Sequence, residues 1–235
     1  MSETTAWPAF TMIQRRLLGV LVEKSKTTPD AYPLSINALT VGSNQKSNRD
    51  PLLNLSDDDI EDAMPGLMSL GLVTRITGSR VDRWRHNLYD VWRVDKIELA
   101  ILAELLLRGP QTEGELRSHA NRMDTIDDLE TLRQKLKPLQ ERKLVLWLNE
   151  EGRRGSLITH GFHAPGELEA LKQRAKANES AAPAPAPVTA PHASPTPPPP
   201  NAELVALRAE VAELKAQLEL VRADVQALKT ALGGS

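Results

Sequence analysis

The chain has 235 residues, a formal net charge of −2 and 40% hydrophobic residues, although only 3% of its residues are aromatic. It contains no cysteine, which excludes disulfides and thiolate chemistry and suits the reducing cytoplasm where we expect the protein. No apolar run approaches the ~20 residues that span a bilayer, and we see no signal peptide. With so little net charge, any nucleic-acid binding would need a local basic patch.

Residues 10–165 contain an internal repeat. Each half carries, in the same order, a long apolar helix, a short helix, a third helix and two strand-like stretches. The predicted segments are 16–22, 34–39, 56–67, 72–76 and 83–88 in the first half, and 100–106, 111–116, 125–139, 144–148 and 156–160 in the second. This order is typical of a winged helix-turn-helix. We therefore predict a mainly α (α+β) fold with two tandem units, residues 1–95 and 96–165, packed around the junction 87–96.

Local signals predict where several helices begin and end. Ser56 and Thr125 each precede a carboxylate by three residues, and a hydroxyl there caps a helix N-terminus, so we expect them to open the third helices. Residues 112–115 read Thr-x-x-Glu, the pattern of a capping box. Residues 108–110 read Arg-Gly-Pro, which is typical of a helix end.

The C-terminal third predicts a tether followed by an oligomerisation helix. Residues 166–200 are expected to form a short helical tail and a disordered linker, because proline fixes φ and removes the amide donor. In residues 201–232 the apolar spacing alternates three and four, as in a coiled coil. The seam consists of Leu204, Leu207, Val211, Leu214, Leu218, Val221, Val225, Leu228 and Leu232. Opposite charges at flanking positions favour a parallel homodimer, with a trimer as the alternative.

Four segments carry a resemblance to a known family. They are residues 21–24 (LVEK), 32–35 (YPLS), 44–51 (NQKSNRDP) and 105–117 (LLLRGPQTEGELR). On these segments the chain resembles the YceH-like family of uncharacterised bacterial proteins, over roughly residues 11–163. The resemblance implies a tandem winged-helix fold, often with a short C-terminal coiled coil, and it implies no catalytic residues.

The first predicted hairpin is rich in arginine. Arg75, Arg80, Arg83 and Arg85 lie close together in the sequence, and Trp84 stands between the last two. In a winged helix this hairpin is the wing, whose arginines can contact phosphates or a minor groove. The alternative is a solvated strand whose alternate residues, Trp84 among them, cover the core.

The segment between the second and third helices of the first unit is the second candidate. Asn44, Gln45, Lys46 and Arg49 offer donors that suit phosphates or base edges. Such residues also satisfy their own backbone in turns, and Arg49 could simply pair with Asp50. The polar stretch is longer than a plain turn requires, so both interpretations stay open.

The third helices argue against ordinary DNA reading. In a helix-turn-helix the start of this helix enters the major groove. Here that position is acidic in both halves, with Asp57, Asp58, Asp59, Glu61 and Asp62 in the first, and Asp127, Asp128 and Glu130 in the second. Carboxylates facing phosphates are unfavourable. Contact with nucleic acid would then come from the wing and the turn, or else the module binds protein.

The remaining motifs are weak. His160 and His163 lack a clear third metal ligand, so we expect no metal site. Residues 152–156 (GRRGS) could cradle a phosphate but are more typical of a hairpin turn. No nucleophile, phosphate-loop or dinucleotide motif is present, so we expect no enzyme and no cofactor. The leading hypothesis is an oligomeric nucleic-acid-associated or regulatory protein. The alternative is a protein-interaction scaffold that does not bind DNA.

Overall fold

The computed structural model of the chain describes residues 7–78, 80–153 and 155–181. Its α-helices are α1 (Met12–Thr27), α2 (Ile36–Ser43), α3 (Asp57–Ser69), α4 (Leu88–Trp92), α5 (Lys96–Arg108), α6 (Glu113–Ala120), α7 (Leu129–Glu141) and α8 (Pro165–Ala181). Its strands are β1 (Val73–Ile76), β2 (Arg83–His86), β3 (Gln111–Thr112), β4 (Val145–Trp147) and β5 (Leu157–His160). The predicted proline-rich linker and coiled coil, with the whole seam from Leu204 to Leu232, lie outside the described residues.

The element order repeats within this part of the chain. Three helices and an antiparallel strand pair make up α1-α2-α3-β1-β2, and the same order recurs in α5-α6-α7-β4-β5. We call these the first and the second repeat. β1 and β2 form a two-stranded sheet, whereas β3, β5 and β4 form a three-stranded sheet in that order. The expected mainly helical class with small antiparallel sheets is confirmed.

The segment before the second helix pairs with each hairpin, through a single β-bridge in the first repeat and through the short strand β3 in the second. In the first repeat Leu34 exchanges backbone hydrogen bonds of 3.0 and 2.7 Å with Trp84. In the second repeat β3 pairs with β5, with Gln111 opposite Ile158. These pairings fix the second helix of each repeat against its hairpin.

Three of the four helix boundaries predicted from capping and stop signals are confirmed. The Ser56 hydroxyl accepts from the Asp59 amide at 3.2 Å, and the Asp59 carboxylate accepts from the Ser56 amide at 2.8 Å. Thr112 opens α6 with the same reciprocal capping box. α5 ends at Arg108, and the following Gly109 has a φ of 73°, which a glycine adopts at no steric cost.

The predicted start of α7 at Thr125 is wrong. The helix begins at Leu129, after Asp128, whose carboxylate caps it by accepting from the Thr131 amide at 2.7 Å. The side chain of Ile126 is fully buried, and its amide donates to Asn121 Oδ1 at 2.8 Å. This anchoring holds residues 125–128 outside the helix.

The core lies where α1 and α5 pack against each other. Both helices bury most of their apolar residues, and the two repeats share one hydrophobic cluster. Gly19 lets the helices approach closely, because a Cβ there would lie 2.7 Å from Leu107 Cγ. Fully burying each leucine in this contact stabilises the fold by about 1.5–3 kcal/mol.

An aromatic cluster adds a second contact across the repeats. Phe162, just after β5, stacks on Phe10 and on Trp92 with ring centroids 4.9 Å apart in both pairs. The Phe10 amide also donates to the Phe162 carbonyl at 3.0 Å. Trp92 belongs to the junction 87–96 and is fully buried. The junction therefore contributes a buried aromatic side chain to the hydrophobic cluster, whereas the centre of that cluster lies at the α1–α5 contact.

Candidate functional site

The first hairpin turns its arginines outward and its tryptophan inward. Arg83 and Arg85 are exposed on β2, whereas Trp84 between them is 7% exposed. Arg80, in the turn, is also exposed. Arg75 on β1 pairs with Asp82, and its guanidinium carbon lies 5.9 Å from the centre of the Trp84 ring. Trp84 thus covers the core, as the alternative predicted, and the arginines still form a basic outer edge.

The predicted polar turn is mostly committed to the fold. The Asn44 amide group donates to the Leu55 carbonyl, and its oxygen accepts from the Leu55 amide, both at 2.8 Å. The side-chain oxygen of Gln45 accepts from Arg49 at 2.9 Å. Lys46, in contrast, is exposed. Of the four residues predicted to bind nucleic acid here, Lys46 is the one presented to solvent.

The prediction for Arg49 needs correction. Its side chain is fully buried, and it forms two hydrogen bonds with the Glu23 carboxylate, at 3.2 and 2.5 Å. Its Nε donates to the Gly42 carbonyl at 3.0 Å. A buried carboxylate needs a charged partner, and Arg49 provides it from inside the fold. Its guanidinium is therefore not available to phosphates, and its partner is Glu23 rather than the neighbouring Asp50.

This ion pair belongs to a buried network that joins the two repeats. Arg122 bridges Glu23 on α1 and Glu104 on α5: its guanidinium donates to both carboxylates, and its Nη2 lies 3.1 Å from Glu104 Oε2. Glu104 is fully buried and lies 2.8 Å from Arg108 Nε. Burial raises the pKa of Glu23, but the hydrogen bonds and charges of Arg49 and Arg122 outweigh that effect and hold the pKa below its usual value. The Glu23 carboxylate therefore stays charged within the fold.

Sequence reasoning missed this network, although one signal was available. Glu23 follows an apolar run in α1, and Glu104 lies inside the apolar run of α5. A carboxylate on the buried face of a helix requires a cation, and arginine is the usual one. What the sequence does not show is which arginine reaches it, since Arg122 comes from a loop 99 residues after Glu23.

A groove lies between α2, α3 and the first hairpin, and we call it the α3–hairpin groove. Its volume is about 640 Å³. Apolar side chains from all three elements line it: Ile36, Met64, Pro65, Met68, Val81 and Trp84. Met68 and Val81 are large apolar side chains that remain 47% and 54% exposed. The groove therefore exposes to solvent apolar side chains of the kind that are normally buried in a protein core.

One edge of this groove is acidic. Asp57 and Glu61 line it from α3, and Asp58, Asp59 and Asp62 are exposed on the same two turns. The pKa of Asp59 is lowered because its carboxylate accepts hydrogen bonds from the Ser56 amide and hydroxyl. On the opposite wall Arg83 donates to the Pro33 carbonyl at 2.9 Å. The groove is therefore apolar at its centre and carries opposite charges on its two sides.

The second repeat has a counterpart groove, lined by α6, α7 and the second hairpin, with a volume of about 930 Å³. Leu136 and Trp147 are its apolar lining residues, and the remainder is mostly charged or polar. Arg133 pairs with Glu113 through hydrogen bonds of 2.9 and 2.7 Å. The two repeats thus present different surfaces at the same place in their architecture.

The minor sequence candidates have structural roles. His163 Nδ1 accepts from Arg15 at 2.7 Å, and the His163 ring stacks on His160 with centroids 3.9 Å apart. Among the described residues no cluster of three metal-ligating side chains occurs. Of residues 152–156, the described Gly152, Arg153, Gly155 and Ser156 lie between β4 and β5, and the Ser156 hydroxyl donates to the Glu150 carbonyl at 2.5 Å. The described part of the chain also has no helix long and apolar enough to cross a membrane.

Comparison with known proteins places this architecture in a family. A family described as "Protein of unknown function, DUF480" matches residues 10–156. The chain belongs to this family. It is 44% identical over 169 residues to a UPF0502 protein of Rhodopirellula baltica, covering 72% of this chain and 71% of that protein. It is 38% identical over 228 residues to a UPF0502 protein of Xanthomonas euvesicatoria, covering 97% of this chain and 99% of that protein.

The YceH-like resemblance seen in the sequence is the same family, so it is confirmed. The matched range takes in the buried network, the α3–hairpin groove and most of the second repeat. Helix α8 begins after it, at Pro165.

Proposed function

We propose that this protein is a non-enzymatic interaction module of two winged-helix repeats, whose α3–hairpin groove docks an amphipathic helix of a protein partner. The observation that carries the proposal is the pair of exposed apolar side chains, Met68 and Val81, in a groove between α3 and the hairpin. Contiguous exposed apolar surface marks interaction sites. An amphipathic helix that lays its apolar face into such a groove gains roughly 25 cal/mol for each Å² of apolar area removed from water.

The charges of the groove define the chemistry of the partner. Asp57 and Glu61 favour lysine or arginine along one flank of the docked helix. At a separation of ~4 Å one such pair interacts by about 1 kcal/mol in water and by about 4 kcal/mol in a partly buried site. Arg83 on the opposite wall favours a carboxylate on the other flank. The expected partner is therefore a helix with an apolar stripe, a basic flank on the α3 side and an acidic or polar flank on the hairpin side.

The acidic start of α3 also favours protein over DNA. A winged helix that reads DNA inserts this helix into the major groove. In this repeat the insertion would bring five carboxylates to the phosphates, which is unfavourable. The same carboxylates favour a basic protein segment.

A nucleic-acid-associated function is the second candidate, and the exposed edge of the first hairpin favours it. Arg80, Arg83 and Arg85 are all exposed, and Lys46 adds a further cation in the same repeat. Such an edge can follow a phosphate backbone without insertion of α3. Self-association through residues 204–232, which stays a prediction, would present two copies of either surface and raise avidity through effective concentration.

The protein-docking proposal is tested by selecting helical peptides from a displayed library on the full-length protein. Selected peptides are expected to share apolar residues at positions i, i+3 or i+4 and i+7, with lysine or arginine on one flank. Met68→Asp should weaken their binding at least about tenfold, because it places a charge in the apolar groove. The matched control is Leu70→Asp. Leu70 is similarly exposed, at 45%, but does not line the groove, so its variant should bind like the wild type. Equal effects of both variants would refute the proposal.

The nucleic-acid candidate is tested by fluorescence anisotropy of a random-sequence duplex titrated with the full-length protein at about 50 and about 200 mM salt. Phosphate contacts predict micromolar binding that weakens steeply with salt. The combined Arg80→Ala and Arg85→Ala variant leaves the groove-lining Arg83 in place, so it should weaken duplex binding and keep peptide capture. No binding at the lower salt concentration would contradict this second candidate.

A further inference from the structure

A separate cavity lies where α1, α5 and α8 meet, away from the α3–hairpin groove. Its volume is about 320 Å³. Four arginines line it: Arg15 and Arg16 from α1, Arg108 from α5 and Arg174 from α8. A concentration of guanidinium groups from three helices around one cavity is unusual, because like charges repel in a region of reduced dielectric.

Arg16 is the most informative member of this group. It is 2% exposed, and its Nη1 and Nη2 donate to the backbone carbonyls of Ser43 and Pro51 at 2.8 and 2.6 Å. Among the described residues its Nε has no hydrogen-bond partner, and no carboxylate lies within ion-pair distance of its guanidinium. Burial and the positive charge of Arg49 lower the pKa of Arg16 to about 10. The negative charges of Asp50 and Glu23 offset these effects only in part. A buried cation that forms no ion pair is costly, so a bound anion would stabilise it.

The other charges around the cavity do not neutralise it. Two carboxylates line it, Asp50 and Glu167. Glu167 already pairs with Arg15 at 2.8 Å. Arg174 is exposed on α8, at the outer side of the cavity.

Two histidines also line the cavity, and both are held neutral. Burial lowers the pKa of His160 and of His163 and the charge of Arg15 lowers both further, an effect that Glu167 offsets only in part at His163. Arg108 also pairs with a carboxylate, that of Glu104, at 2.8 Å. Arg16 and Arg174 are then offset within the lining only by Asp50, which leaves a formal excess of one positive charge.

We propose that this cavity is a binding site for a small molecule carrying a phosphate group. Guanidinium groups bind phosphate oxygens through paired, charge-assisted hydrogen bonds. A tetrahedral dianion presents oxygens in several directions, which suits arginines that approach from three helices. The cavity volume exceeds that of one phosphate ion and leaves room for an organic substituent beside Leu105, Leu106 and Leu171.

The test is titration of the full-length protein with inorganic phosphate, followed by calorimetry and by thermal unfolding. Sodium chloride at matched ionic strength serves as the reference. The site predicts saturable binding of one phosphate per chain and a rise in the unfolding temperature that exceeds the effect of chloride. Arg174→Gln should weaken binding about tenfold, since it removes one charge-assisted contact from an exposed position. Lys176→Gln is the matched control: Lys176 is an exposed cation on the same helix that does not line the cavity.

Three results would overturn the proposal. One is the absence of saturable binding at millimolar phosphate. Another is equal weakening by Arg174→Gln and Lys176→Gln, which would indicate a diffuse electrostatic effect. The third is tighter binding of malonate than of phosphate, which would reassign the site to carboxylates. Since Arg16→Gln removes a buried residue and can unfold the protein, the test depends on Arg174, whose exposed side chain is not part of the core.

Discussion

Replacing Arg49 with methionine tests whether the polar segment 44–51 joins the fold or serves as an external contact. The substitution keeps an apolar stem of similar length and removes the guanidinium that forms two hydrogen bonds with Glu23. Glu23 is 2% exposed and would retain Arg122, together with the Lys24 ammonium at 3.7 Å. Removing one partner of a buried ion pair costs roughly 3–5 kcal/mol. Because Arg122 remains, we expect about 3 kcal/mol, at the lower end of that range.

The assay is urea and thermal unfolding of the full-length protein, followed by circular dichroism. For a chain of this size about 3 kcal/mol corresponds to a fall of about 6–12 °C in the unfolding midpoint. Lys46→Met is the matched control. It removes an exposed cation from the same segment and should change the free energy of unfolding by no more than about 0.5 kcal/mol.

A double variant separates the ion pair from other causes. Combining Arg49→Met with Glu23→Gln removes both charges, so it should cost less than the sum of the two single substitutions. If Arg49→Met left stability within about 1 kcal/mol of the wild type and abolished duplex binding, Arg49 would be a contact residue. The buried network would then be the wrong description of this segment.

Three further predictions follow from the packing and from one half-buried histidine. Gly19→Ala should destabilise the fold by about 1–3 kcal/mol in urea unfolding, because the added Cβ would lie 2.7 Å from a side-chain carbon of α5. Gly114→Ala is the control: its Cβ would meet no atom within 4 Å, so it should stabilise α6 by up to about 1 kcal/mol. Gly161→Ala should prevent stable folding, measured by circular dichroism, because its Cβ would lie 1.8 Å from the Lys143 carbonyl oxygen. Burial, together with the charge of Lys26, lowers the pKa of His86 to about 4, so the stability that its neutral ring contributes is complete above pH 6.5 and is lost as the pH falls towards 4. The urea-unfolding free energy of His86→Gln should therefore fall less steeply than that of the wild type over this range, by up to about 1.4 kcal/mol per pH unit, and parallel curves would contradict the assignment.

The sequence was sufficient to predict the order of elements because the periodicity of buried residues is local information. The repeated helix-helix-helix-hairpin order, the capping boxes at Ser56 and Thr112 and the helix end at Gly109 all follow from residues a few positions apart. The start of α7 was mispredicted because a long-range anchor, the burial of Ile126, outweighed the local preference of Thr125 for a cap.

The candidate site was harder to predict, because a polar residue looks the same in sequence whether its partner is solvent, a ligand or a distant side chain. Arg49 and Lys46 are three positions apart and both looked suited to phosphates. Arg49 is buried against Glu23, whereas Lys46 is exposed. Arg83 was correctly placed at the surface, because its alternation with Trp84 on a strand sets the two side chains on opposite faces. The α3–hairpin groove was missed, since it depends on three elements meeting in space.

Docking of a basic amphipathic helix in the α3–hairpin groove is tested by the affinity of one selected peptide for three proteins. Fluorescence anisotropy would compare the wild type with Met68→Asp and Leu70→Asp. We expect micromolar binding to the wild type and to Leu70→Asp, weakening with salt because the groove edge is acidic, and binding at least about tenfold weaker to Met68→Asp. Binding that is unchanged in Met68→Asp, or weakened equally in both variants, would show that no helix docks in this groove.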